Sequence, residues 1–201
     1  MRPLVVMFAA AAICLAPSAA RSNHARDALA EPRLPTTGRQ APFFSGWAMD
    51  GQPSNRDLLL RDLRSQDGRG LLLVFFATWC KPCRAGLERL ARESDRLDRE
   101  GLRVVLVNVG EDEATLRPFL DRMNLRSFRL LRDPFARQAA IPCGAAEPLP
   151  DSPDGYTARI PLAVLLDPDG VVRGVFPEED DTFLDRVRSA LPPPSVSQSS
   201  P

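Results

Sequence analysis

Six consecutive large apolar residues, Leu71-Leu72-Leu73-Val74-Phe75-Phe76, run through a short turn into a cysteine pair and then a helical pattern. No other stretch restricts the possible folds as strongly. An unbroken apolar run of this length is a strand covered on both faces, which places it inside a sheet with helices on each side. From Pro82 to about Glu100 the apolar positions Leu87, Leu90 and Leu97 fall at helical spacing. Glu88 with Arg92, and Arg89 with Glu93, add opposite charges four apart, and Gly101 closes the helix. Cys80 and Cys83 therefore stand where a central strand passes into a helix.

The rest of the chain repeats the alternation. Phe43 to Met49, turning at Asp50-Gly51, opens with a short hairpin, and Asn55 to Leu63 forms a brief helix. Leu102 to Val109 is a second buried strand, followed by a helix from Asp112 to Met123 that Pro118 weakens. Ser127 to Leu131 is a further strand and Phe135 to Ala140 a short helix. After a proline-rich stretch come the strand Leu162 to Leu166, the Asp169-Gly170 turn, the strand Val171 to Phe176 and a last helix from Glu179 to Leu191. Strands separated by helices, then an antiparallel hairpin, predict an α/β fold with a mixed central sheet flanked by helices.

The two ends lack core patterning. Met1-Arg2-Pro3, the apolar run Leu4 to Ala16 and the small residues ending at Ala20 have the form of a secretory signal over residues 1–20. An uncleaved anchor is the competing expectation. Lipidation at Cys14 is disfavoured because Ile13 precedes it. Either outcome puts the domain in an exported, oxidising compartment such as the periplasm. Residues 21–38 are polar and carry Pro32 and Pro35, as in a linker, and residues 192–201 form a proline- and serine-rich tail. One domain, residues 39–191, remains. Lys plus Arg and Asp plus Glu both number 26, so no net field recruits nucleic acid or an anionic membrane.

At a helix N-terminus the unsatisfied backbone N–H groups and the helix dipole stabilise a thiolate, and Lys81 adds a positive charge. Cys80 is thereby the expected nucleophile and Cys83, one turn on, the resolving thiol. Pro82 sits in the first turn, where its missing N–H costs nothing. A zinc site would need two further ligands, and outside the signal the chain offers only Cys143 and the linker residue His24. A purely structural disulfide closing so small a loop would remove little unfolded-state entropy. No metal or cofactor is expected.

The segment Phe75-Phe76-Ala77-Thr78-Trp79-Cys80-Lys81-Pro82-Cys83-Arg84 resembles the active-site signature of the TlpA/ResA-like branch of the thioredoxin superfamily. Gly38-Arg39-Gln40-Ala41-Pro42-Phe43, Leu106-Val107-Asn108-Val109, Ile160-Pro161 and Asp167-Pro168-Asp169-Gly170 are similar to other parts of that family, so the likeness runs from Gly38 to Leu191. It implies a thioredoxin-like fold and a thiol:disulfide oxidoreductase acting on exported proteins, in the reducing direction. A membrane partner would supply electrons, and cytochrome c maturation thiols are one family substrate. It also implies a cis peptide bond at Pro161, opposite Cys80, with Ile160 offering backbone groups to a bound peptide and Trp79 bordering the substrate surface. Ile141-Pro142 is the rival, disfavoured because Cys143-Gly144-Ala145-Ala146-Glu147-Pro148 does not read as a strand.

Three departures stand out. Where members carry a glutamate three residues after the second cysteine this chain has Gly86, and where thioredoxins themselves carry a buried aspartate it has Val74. Glu88 is about 200° around the helix from Gly86 and does not replace it. The proton acceptor for Cys83 is thus unassigned. The loop from Pro142 to Arg159 is longer than the family's and contains Cys143, which is either an accessory thiol exchanging with the pair or an incidental free one. Alternative functions are a peroxiredoxin-like peroxidase, against which the missing Thr-x-x-Cys arrangement counts, a copper carrier, which wants a histidine, or a redox-inert binding module.

Overall fold

The computed structural model describes residues 34–152, 154–178 and 180–194. The expected signal, most of the expected linker and the last residues of the tail lie outside them. The N-terminal hairpin consists of β1 (Ser45–Trp47) and β2 (Pro53–Asn55), turning where Gly51 has φ 80°. Helix α1 (Arg56–Ser65) begins at once because the Asn55 side chain accepts the Leu58 N–H at 3.0 Å and caps the first turn. Then follow β3 (Gly70–Phe76), α2 (Lys81–Arg99), β4 (Leu102–Val109), α3 (Glu113–Arg122) and β5 (Arg129–Asp133). The chain ends with β6 (Ala146–Pro148), β7 (Tyr156–Ala158), β8 (Leu162–Leu166), β9 (Val172–Phe176) and α4 (Phe183–Ala190).

Seven strands form one sheet in the order β2-β1-β5-β4-β3-β8-β9, and β6 pairs with β7 in a separate two-stranded ribbon. Strands β3, β4 and β5 are parallel, so the loops leaving their C-terminal ends gather along one edge. Strand β8 is antiparallel to β3, which brings its N-terminal approach to the same edge.

Alternation along the strands divides the core into two layers. On one face Leu72, Val74, Phe76, Val104 and Leu106 pack against Leu87, Leu90 and Leu97 of α2, Leu116 and Phe119 of α3, and Phe183 and Val187 of α4. On the other, Leu71, Leu73, Phe75, Val105 and Val107 meet Leu59, Leu60 and Leu63 of α1 and the turns after β5. Full burial of a leucine contributes about 1.5–3 kcal/mol, so the three leucines of α2 alone explain why that helix lies flat on the sheet.

The structure corrects the expected helix over Phe135–Ala140. Ala136 has φ 57°, and residues 134–140 are turns wound around the Asp133 carboxylate. This buried side chain accepts the backbone N–H groups of Arg137, Gln138, Ala139 and Ala140 at 2.8–3.2 Å. The expectation that residues 143–148 hold no strand is also corrected. Ala146–Pro148 pairs with Tyr156–Ala158, and Pro148 ends the strand, where a missing N–H is tolerated. The long loop before β8 is therefore partly a hairpin. It reaches back to the sheet edge, where the Tyr156 hydroxyl packs on Gly110, leaving no room there for a Cβ.

Smaller shifts have local causes. The last helix begins at Phe183 rather than residue 179, because the Asp180 carboxylate accepts both the N–H and the hydroxyl of Thr182 and holds a turn before it. Gly38, expected at the end of the linker, already donates to the Val172 carbonyl at 2.8 Å and runs beside β9.

Candidate active site

Cys80 is the N-cap of α2 and Cys83 lies in its first turn. The two are joined in a disulfide with their Cα atoms 5.4 Å apart. Cys80 is 4 % exposed and Cys83 fully buried, so an incoming group reaches Cys80 first. The Cys83 N–H points at the Cys80 sulfur at 3.3 Å, which is the donor that would serve a thiolate after reduction. Pro82 occupies the first helical turn as expected, and Lys81 is exposed beside the pair. Trp79 is 59 % exposed on the loop leading into the helix.

The Ile160–Pro161 bond is cis. Leu162 pairs with Phe75, so one step on Pro161 lies level with Phe76, on the edge from which the chain turns into Cys80. The register thus sets the cis-proline at the end of the sheet from which the chain leaves for Cys80. Ile160 is partly buried and packs on both core layers.

Cys143 is not part of this grouping. It is buried in the layer on the α1 face, whereas Cys80 and Cys83 belong to the α2 face. Desolvation by burial, and secondarily the Asp133 charge, push its thiol far up from the ordinary cysteine range. Cys143 and the pair thus lie in the two core layers on opposite faces of the sheet, and the thiol of Cys143 is buried.

Both acid positions noted as vacant are filled by buried apolar packing, since Gly86 and Val74 contribute no polar atom and Glu88 is exposed. A carboxylate reaches the site by another route. Glu111, just beyond β4, accepts the Thr78 backbone N–H at 2.8 Å and the Thr78 hydroxyl, and accepts the Asn108 side-chain amide at 2.6 Å. Arg84 holds Thr78 from the other side, donating Nη2 to its carbonyl at 2.7 Å while lying over the Phe119 ring. Asn108 is fully buried in β4, and its Oδ1 has no hydrogen-bond partner among the described residues. Its amide being polar inside the apolar run over residues 104–109 is the sequence signal that could have pointed to Glu111.

Among the described residues no three His, Cys, Asp or Glu side chains cluster as metal ligands. A mixed sheet with helices on both faces, a C-x-x-C disulfide at the start of α2 and a cis-proline on the adjoining edge define a thioredoxin-like protein. The chain belongs to the AhpC/TSA family, whose model matches residues 37–175. It is similar to the thiol-disulfide oxidoreductase ResA of Halalkalibacterium halodurans, 29% identical over 104 residues covering 52% of this chain and 54% of the relative. The thioredoxin-like protein YneN of Bacillus subtilis is 36% identical over 102 residues, 48% of this chain and 53% of the relative. The chain spans about half the length of these curated relatives. Among solved structures, a thiol:disulfide interchange protein from Bacteroides sp. superposes with a TM-score of 0.58 at 16% identity, covering 82% of this chain and 96% of the other. The peroxidoxin BcpB of Mycobacterium tuberculosis gives 0.61 at 16% identity, covering 78% and 96%. At such identities these two show the fold alone.

Proposed function

We propose that this protein is a thiol:disulfide oxidoreductase that reduces disulfides of other exported proteins, in the manner of the TlpA/ResA-like branch. The observation that supports it most is the Cys80–Cys83 disulfide at the N-terminus of α2, with Cys80 at the surface end and Cys83 buried. In the reduced protein the Cys80 thiolate attacks a target disulfide, one target sulfur leaves as a thiolate, and a mixed disulfide joins Cys80 to the other. Cys83 then loses its proton and attacks the Cys80 sulfur. The second target sulfur leaves with the bonding electron pair, so the target gains two electrons and the pair returns to the disulfide. A thiol donor must re-reduce it, and a membrane dithiol protein is the partner the family resemblance suggests. The signal-like residues 1–20 support work outside the cytoplasm, periplasmic if the host has such a compartment. No helix among the described residues is long and apolar enough to cross a membrane.

Removing the resolving thiol stalls the cycle at the mixed disulfide. Cys83→Ser is expected to accumulate covalent adducts with exported proteins that dissolve on adding dithiothreitol, and Cys80→Ser to accumulate none. Absence of adducts from Cys83→Ser, together with consumption of peroxide by the same variant, would replace this function with a peroxidase.

A further inference from the structure

We propose that Glu111 supplies the charge that sets how readily Cys80 ionises, and through it the redox equilibrium of the Cys80–Cys83 pair. This rests on the oxidoreductase reading only in taking Cys80 as the attacking thiol. Glu111 is a positioning residue, since it touches neither sulfur. Its carboxylate is fixed from two directions: by both donors of Thr78, on the turn entering α2, and by Asn108, buried on the sheet face that carries Cys83. Thr78 is two residues before Cys80, and the Cys80 N–H closes a turn onto the Ala77 carbonyl at 3.0 Å. Such a turn keeps the carboxylate within about 10 Å of the Cys80 sulfur, comparable with the screening length of physiological salt. Phe76, Phe119 and Leu116 belong to the same buried layer as Cys80 and Cys83, and packed protein screens a charge less completely than water.

An anion at that distance opposes formation of a second anion on Cys80. The helix N-terminus, Lys81 and the Arg84 guanidinium on the Thr78 carbonyl favour the thiolate; Glu111, whose charge is also felt by the Tyr156 hydroxyl, restrains it. This arrangement keeps the reduced pair from becoming too stable, which favours passing electrons onward. With glycine at 86 and valine at 74, no carboxylate at either position shares the task.

Glu111→Gln isolates the charge. The amide oxygen can accept from Thr78 N–H and the Asn108 amide, while the amide nitrogen donates to the Thr78 hydroxyl oxygen, so every hydrogen bond has a counterpart. In the purified full chain, E111Q is expected to lower the pH midpoint of Cys80 alkylation by about 0.5–1 unit. The equilibrium of the pair with glutathione should shift about three- to tenfold toward the reduced form, up to the 29.6 mV that a tenfold change represents. Glu111→Asp, which keeps the charge, should stay nearer the parent protein. Unchanged midpoint and equilibrium in folded E111Q would overturn the proposal, as would E111D moving both as far as E111Q. None of these readouts involves a target protein, so they can fail while the trapping experiment succeeds, or the reverse.

Discussion

Serine at position 80 abolishes catalysed disulfide exchange, with the rate of dithiothreitol-driven reduction of a model disulfide protein falling at least about a hundredfold, to the uncatalysed background. A hydroxyl is not ionised at neutral pH and cannot carry the mixed disulfide, so no geometry compensates. The loss should occur without loss of fold, because Cys80 contributes an N-cap that serine also provides. The Cys83→Ser protein behaves differently: it still attacks once and stalls. If C80S retained most of the activity, the exchange would belong to another group, and the only described cysteine outside the pair, Cys143, is buried on the far face of the sheet.

The second large effect concerns stability. Asp133→Ala removes the acceptor for four backbone N–H groups, of which those of Ala139 and Ala140 belong to fully buried residues. Leaving buried donors without partners costs about 1–3 kcal/mol each, so the variant should lose roughly 3–5 kcal/mol, a large part of an ordinary domain's stability. Chemical denaturation at neutral pH reads this as a lower midpoint. The turns of residues 134–145 pack on the α1 face, so the redox equilibrium of the folded fraction should remain that of the parent. A loss below about 1 kcal/mol would mean that water or a rearranged turn satisfies these donors.

The contrast between these two sites shows what the sequence carried. Strand β3, helix α2 and the Cys80–Cys83 junction were legible because an apolar run, a helical period and a glycine stop all act within a few residues of one another. Pro161 was separable from Pro142 because a strand must follow it. The turns after β5 were not legible: nothing local to Phe135–Ala140 announces that the carboxylate of Asp133 captures its N–H groups and that Ala136 takes a left-handed conformation. The β6–β7 ribbon was missed for a related reason, since its support is Tyr156 lying on Gly110, a contact made across the fold. Glu111 was not legible because the family pattern carries its acids on α2 and β3, whereas this one arrives from the end of β4. Asn108, polar at a fully buried position beside Leu106 and Val107, was the available clue.

An unequal pair of thiols underlies the proposed chemistry, and the most direct measurement is alkylation of the reduced protein across pH, followed peptide by peptide in a mass spectrometer. Cys80 should label with a midpoint below the roughly 8.5 of a free cysteine. Cys83 and Cys143, both buried, should stay unlabelled until the protein unfolds. Cys80 titrating like a free cysteine, or Cys83 labelling as fast as Cys80, would contradict the account.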